Sequence, residues 1–326
     1  MKKALAKASQ RAVAFTTVAI AVFAGSAAAQ DGKTWQPDKN IEFIAGAGPA
    51  GGNDRIARSV QKILQQHKLI PTSMTVVNKP GGGEVGRAYL NQYPGNGHYI
   101  SINPLTLLTN AIAGRSKSHF TDFTPIAHLM GEYIVYVVKA DSGIKTAKQL
   151  AERLAADAGT LSAAITGGPG SHNHIGIATV IKRAGGDPKK LRAVAFNTSG
   201  ESLTALLGGH VDLMPASASN VVEQMKAGTI RVLAVSAPKR MEGVFATVPT
   251  WRELGIDAVT SNWRSIEGPK GLTPKQIRYW ENVFNKLQST PEWQEEMRAN
   301  YWIRQSLSAE ETKNFSRRKK KICGRS

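Results

Sequence analysis

Apolar runs four to six residues long alternate with amphipathic stretches along most of this chain. Ile41-Glu42-Phe43-Ile44-Ala45 is such a run and predicts a first strand. From Asp54 to Gln66, the apolar residues Ile56, Val60, Ile63 and Leu64 form a helical stripe. Strands follow at Met74 to Val77 and His98 to Asn103, with a short helix at Gly86 to Gln92 between them. The rhythm restarts at Tyr133: strands at Ile134 to Val138, Leu161 to Thr166 and Leu191 to Phe196 alternate with helices at Ala147 to Ala156, His174 to Ala184 and Ser202 to Leu207. Val211 to Met214 and Ile230 to Val235 add strands around a helix at Val221 to Lys226. After Pro249 come a short helix at Trp251 to Leu254, an aromatic strand around Trp263, and helices at Thr273 to Leu287 and Pro291 to Ala299. This alternation predicts an α/β fold with parallel sheets covered by helices. Two similar units are the natural split, with a hinge near Gly131 and a return crossing between Pro238 and Pro249. The C-terminal helices are expected to pack back on the first unit.

The two ends stand outside this rhythm. Lys2, Lys3, Lys7 and Arg11 precede an apolar run from Ala12 to Ala24, and Ala27-Ala28-Ala29 closes the segment before Gln30. That order is the plan of a secretory signal, cleaved near Ala29/Gln30, and the run is too short for a membrane span. No cysteine lies near the cleavage point, which argues against a lipid anchor. Cys323 is the one cysteine, so no internal disulfide is expected; a chain of this length can bury a core without one. At the other end, Ser308 and Glu311 form a capping-box pattern, but Arg317-Arg318-Lys319-Lys320-Lys321 breaks the apolar period. Residues 317–326 therefore read as an atypical basic tail, a solvated end or a shifted reading frame rather than a targeting patch. The net charge of +18 shrinks accordingly: the leader holds four basic residues and the last ten residues six, leaving +8 for residues 30 to 316. A basic stripe for nucleic acid is not expected.

Two glycine-rich loops carry the candidate chemistry. The first, Gly46-Ala47-Gly48-Pro49-Ala50-Gly51-Gly52-Asn53-Asp54, lies between the first strand and the first helix. Its glycines match a dinucleotide fingerprint, but the second strand ends in Asn78-Lys79 and lacks the acidic ribose ligand. The loop reads better as an anion site built from bare backbone N–H groups and a helix dipole. Asp54 is expected to cap the helix or to meet a cationic part of a ligand. The second loop, Thr166-Gly167-Gly168-Pro169-Gly170-Ser171-His172-Asn173-His174, holds the same place in the second unit. Two such loops can face each other across a cleft at the carboxyl ends of the strands. Ser171 with His172 or His174 lacks a nucleophile elbow, and the His172/His174 pair lacks further metal ligands. Neither a cofactor nor a metal is expected.

The motifs also occur in a known order. Gly48-Pro49-Ala50-Gly51-Gly52-Asn53-Asp54, Asn78-Lys79-Pro80-Gly81-Gly82-Gly83, Pro94-Gly95-Asn96-Gly97-His98-Tyr99 and Phe123-Thr124-Pro125-Ile126-Ala127 resemble successive segments of the receptors of tripartite tricarboxylate transporters, also called Bug proteins. So do Gly168-Pro169-Gly170-Ser171 with His174, Leu206-Leu207-Gly208-Gly209-His210-Val211-Asp212, Arg231 to Val235, and Val248-Pro249-Thr250. The resemblance spans about Ile41 to about Thr312. It implies a two-lobed periplasmic binding protein fold of type II-like character, each lobe a sheet flanked by helices, with the ligand cleft between. Lobe 1 would comprise residues 30–132 and 247–316, and lobe 2 residues 133–246. Carried onto this sequence, the ligand site comprises Pro49, Ala50, Gly51, Gly52, Asn53 and Asp54; Pro104, Leu105 and Thr106; Thr166, Gly167, Gly168, Pro169, Gly170, Ser171 and His174; Phe196, Asn197 and Thr198; Ser217, Ala218 and Ser219; and Trp263. Ala50 replaces a family glycine, Phe196-Asn197-Thr198 lacks the usual hydroxyl and basic residue, and Ser217-Ala218-Ser219 replaces an Asp-Asn turn.

The function this implies is capture of a small organic mono-, di- or tricarboxylate in the periplasm by domain closure. The partners would be that acid and the membrane permease of a tripartite transporter, with no nucleic acid, and the receptor a monomer and not an enzyme. Two alternatives remain beside it: a sensor of the same fold that signals to a two-component system, and, more remotely, an exported hydrolase.

Overall fold

The computed structural model describes residues 34–49, 51–81, 83–112, 114–304 and 307–323. The proposed leader, Ala50, Gly82 and the last three residues of the basic tail lie outside them. The described residues from Gln36 onward form one compact unit. Among the described residues no helix is long and apolar enough to cross a membrane.

The expected β/α rhythm is present, with the strands β1 (Ile41–Ala45), β2 (Met74–Asn78) and β3 (Tyr99–Pro104) all parallel and β1 in the middle. Helix α1 (Gly52–Gln66) joins the first two, burying Ile56, Val60, Ile63 and Leu64 on the predicted stripe. Helix α2 (Glu84–Leu90) joins the next two, and α3 (Thr106–Ile112) follows β3. The glycines of the 81–83 turn earn their place by proximity: a Cβ on Gly46 would sit 2.9 Å from the Cα of Gly83, whose φ is +88°. That close approach docks α2 against the end of β1.

The hinge expected near Gly131 falls inside a single strand. β4 runs unbroken from Phe123 to Lys139. Its first part pairs with β9 (Ser261–Pro269), which in turn pairs with β3, and with the short β10 (Trp302–Ile303), so the first sheet has the order β10-β4-β9-β3-β1-β2. Its second part pairs with β7 (Met214–Ser217) and β8 (Ile230–Val235). Strand β5 (Ser162–Thr166) pairs with β6 (Arg192–Phe196) and bridges to β7 at Ala163–Leu213. Around these strands lie α4 (Ala147–Asp157), α5 (His172–Arg183), α6 (Ser199–Leu207) and α7 (Val222–Lys226). β4 thus serves as a spine common to two sheet regions.

Helices α8 (Pro274–Gln288) and α9 (Pro291–Ala299) return to the first sheet region, as their amphipathic patterns predicted. The Trp280 indole donates to Gly97 O at 2.9 Å, and His67 meets Glu292 at 2.8 Å. The expected return point needs correction. Trp251, Ile256 and Ala258 are buried with Leu150, Leu154, Ile165 and Ile177, and Val235 bridges to Thr250. Residues up to 258 therefore pack with the second region, not the first, because Trp251 finds its apolar partners there. The chain stays helical into the basic tail. The capping box at Ser308 forms, and α10 (Ala309–Cys323) continues through the basic run. Lys and Arg are good helix formers, and Phe315, packed on Trp263 and His128, anchors the helix.

Candidate functional site

The first loop ends in Gly51, which caps α1 with an extended backbone and no side-chain bond. Asp54, expected as the cap, is instead buried in the first turn, held by Arg58 Nε at 3.0 Å and by Asn78 Nδ2 at 2.8 Å. Asn78 also donates to Ala47 O at 3.1 Å, so the residue at the end of β2 ties down the loop rather than a ribose. Gly51 N–H closes onto Gly48 O, while Pro49 is exposed on the turn. Among the described residues the N–H groups of Gly52 and Asn53 have no partner, and they sit at the positive end of a 15-residue helix.

The second loop is tighter. Gly167, Gly168 and Gly170 all have φ between +73° and +79°, which explains three glycines around Pro169. Gly167 N–H donates to Phe196 O, Gly168 N–H to Ile165 O and Ser171 N–H to Gly168 O. Gly170 N–H donates to His174 Nδ1 at 2.9 Å, which makes Nδ1 the acceptor and leaves the ring proton on Nε2. Ser171 caps α5, its hydroxyl accepting from His174 N–H at 3.4 Å. That use of Ser171 and His174 is structural and leaves no Ser–His dyad. The loop's own amides are thus largely spent on its turns. The N–H groups of His172 and Asn173, at the start of a 12-residue helix, have no partner among the described residues.

A residue the sequence reading missed joins the two helix ends. Arg264 on β9 pairs in register with Pro104 at the end of β3. Its side chain is buried and donates from Nε to Asn53 Oδ1 at 2.8 Å and from Nη1 to Trp263 O at 3.1 Å. Nη2 lies 3.8 Å from where a Gly52 Cβ would be, and 4.0 Å from Glu132 Oε1 on β4. Burial lowers the Arg264 pKa, against the opposing pull of Glu132. From α5, His172 faces the same charge: burial, then the guanidinium, pushes its imidazole down to about 3, so it is neutral at working pH. Arg115, beyond α3, reaches the second loop, where its Nη2 occupies the space of a Gly170 Cβ. His174 is likewise held below its ordinary range by burial and by Arg115. Arg264 and Arg115 were legible only as an arginine in an apolar strand and an arginine after a helix.

The other expected site residues divide. Leu105 is buried in a cluster with Leu107, Leu108 and Trp263, and Ile175 of α5 packs on that same cluster from across the cleft. Thr106 opens α3. The Trp263 ring packs on His128 and Phe315, so its strand neighbours Asn262 and Arg264 take the opposite face. Thr166 Oγ1 bonds Ser202 Oγ at 2.8 Å, and Ser202 bonds Thr198 O at 3.2 Å. Thr198 caps α6, and Asn197 N–H donates to Glu201 Oε2 at 3.0 Å; both residues are exposed. Ser217 and Ala218 are buried at the end of β7 opposite Ile134, and Ser219 follows them, partly buried, in a single 3₁₀ turn.

Paired sheet regions sharing long strands, with two helix N-termini converging on a cleft, define a solute-binding receptor of the periplasmic type. The family pattern for the tripartite tricarboxylate transporter family receptor matches residues 56–324, and the chain belongs to that family. Its curated relatives include a UPF0065 protein from Cupriavidus necator, 28% identical over 292 residues that cover 87% of this chain and 85% of the relative. Protein BugT of Bordetella pertussis is 26% identical over 264 residues, 78% of this chain and 77% of its own. Among solved structures, a TctC solute-binding protein from Polaromonas superposes with a TM-score of 0.72 at 24% identity, covering 88% of this chain and 97% of that one. MatC from Rhodopseudomonas palustris, solved with bound malate, gives a TM-score of 0.69 at 20% identity over 82% and 90% of the two chains. An R. palustris protein solved with adipate gives 0.75 at 18% over 88% and 98%. Family and fold neighbours alike are solute-binding receptors.

Proposed function

We propose that this receptor captures an organic dicarboxylate by closing α5 onto α1 and presents it to the permease of a tripartite transporter. The observation that carries this reading is the convergence of the α1 and α5 N-termini on the buried Arg264. One carboxylate fits the free amides of Gly52 and Asn53 with Arg264 Nη2; the other fits the amides of His172 and Asn173 near Arg115. Three expectations from the sequence join the proposal: a leader cleaved after Ala29 that delivers the chain to the periplasm, a monomeric receptor, and two lobes. The second lobe extends from 133 to about 258 under the packing described above.

The neighbours bound to malate and adipate support the ligand class. Calorimetry on the mature chain with a panel of mono-, di- and tricarboxylates tests it. Dicarboxylates are expected to bind with micromolar or tighter affinity and to raise the unfolding temperature. A panel in which no organic acid binds would refute the reading.

A further inference from the structure

We propose that Asn262, flanked by Arg264 and Asn173, forms a subsite for a hydroxyl group, so that the preferred ligand is a 2-hydroxy dicarboxylate rather than a plain one. The inference rests on the carboxylate-receptor reading above and narrows its ligand. Asn262 and Asn173 are each 1% exposed, and the side-chain oxygen of each is buried without a hydrogen-bond partner. A buried amide left unpaired costs roughly 1–3 kcal/mol. Two of them bordering one cleft are best explained by a ligand that completes them.

Placement makes the case specific. On an extended strand, residues two apart share a face at about 7 Å spacing. Asn262 and Arg264 therefore point the same way on β9, and Thr260 lies just ahead of the strand. At one end, Thr260 Oγ1 lies 3.5 Å from where a Gly176 Cβ would be, so this end meets α5. At the other end, Arg264 holds Asn53 of α1. Asn262 lies midway between the two helices. Asn173 is one turn before Gly176 and shares its face of α5, so it approaches the same stretch of β9.

An amide both donates and accepts, and so does a hydroxyl. A carboxylate only accepts and serves neither unpaired oxygen, while an ammonium would set a second positive charge beside the buried Arg264; a hydroxyl donates without that charge. With a carboxylate on Arg264 Nη2, a group at Asn262 belongs to the neighbouring carbon. The ligand chemistry that results is a carboxylate bearing a hydroxyl on the next carbon, with a second carboxylate at the α5 end.

Calorimetry with two matched pairs, malate against succinate and citrate against tricarballylate, tests the subsite on the mature protein, with aspartate as the ammonium probe. The hydroxylated member of a pair is expected to bind at least tenfold tighter, since a site built around a hydroxyl rejects its deoxy analogue. Asn262→Ala should bring malate down to the succinate value and leave succinate unchanged; Asn173→Ala should do so in part. Thermal unfolding of both variants establishes that they fold, and if one does not, the wild-type ratios stand as the test alone. Equal binding within both pairs, or aspartate binding tighter than malate, would overturn the subsite while leaving the receptor reading intact. Failure of every acid to bind would instead bring down the receptor reading.

Discussion

Arg264 is a guanidinium stripped of most of its water, and the one carboxylate near it, Glu132, stands at 4.0 Å. A charge in that state holds an incoming anion more firmly than an exposed one, because little solvent must be displaced from it. Glu132 then acts as a competitor for the ligand. Glu132→Gln should tighten dicarboxylate binding severalfold by calorimetry, and a weaker complex would show that Glu132 holds the ligand itself. Removing Arg264 alone would leave Glu132 buried and unpaired, so the informative variant is Arg264→Met combined with Glu132→Gln. Its affinity should fall by about 100-fold, within the range of roughly 2–5 kcal/mol for truncating a buried charge contact. His172 gives an independent check on burial. Its imidazole should stay neutral from pH 8 down to pH 4 by NMR, given a pKa near 3, and a titration close to 6.5 would contradict the closed geometry. None of these three residues was picked as a site residue in the sequence. Asn262 and Arg264 alternate with Trp263, and the strand reads as aromatic until the alternation is seen to put both polar residues on the cleft face.

At the scale of elements, β9 and β3 share a buried polar cluster directly behind the site. Asn103 Nδ2 donates to Glu267 Oε2 at 2.7 Å, and Ser265 donates to the same carboxyl group. Burial pushes the Glu267 pKa up to about 7, with those two hydrogen bonds and Arg87 pulling the other way. The folded chain therefore keeps a proton that the unfolded chain gives up near 4.5. Its stabilising effect is complete below that value and is lost as pH rises through about 7, a loss of order 3 kcal/mol. Chemical denaturation of Glu267→Gln against the parent should show equal stability near pH 4 and a more stable variant at pH 8; parallel curves would exclude Glu267 as the source. Elements were legible where a single period ruled. α1, with its stripe of Ile56, Val60, Ile63 and Leu64, extends two residues ahead of the predicted start, since Gly51 rather than Asp54 caps it. β4 was half read, because Gly131 looked like a break while its neighbours pair on both sides. The end of α10 is not legible from apolar period, because the helix propensity of lysine and arginine carries it through the basic run.

At the scale of the molecule, the two sheet regions meet along β4 and at the entry to β9, where Thr260 N–H donates to Ser236 O at 3.2 Å and Ser236 N–H to Ile134 O at 2.8 Å. Few strands cross, and none of the crossing points is a glycine-rich linker, so opening must bend β4 near Tyr133 and the chain near Thr260. Among the described residues, three contacts lie across the cleft: Ile175 on the Leu105 cluster, Arg115 at Gly170, and His172 beside Arg264. Only the first is apolar. Ile175 is only partly buried there, so its contact is worth less than the roughly 1.5–3 kcal/mol of a fully buried isoleucine, and the closed form without ligand is held weakly. Two arginines aimed at a cleft with no anion in it oppose closure, and a dicarboxylate reverses that sign. Ile175→Ser should therefore open the free receptor and weaken ligand binding through the equilibrium alone, by about tenfold for a partly buried side chain. Small-angle scattering with and without ligand measures this directly. The parent is expected to shrink slightly on saturation, and Ile175→Ser to shrink more, from a more open start to the same end point. Identical profiles for the two free proteins would mean that the apolar contact does not set the balance, and that the charges at Arg115 and Arg264 do.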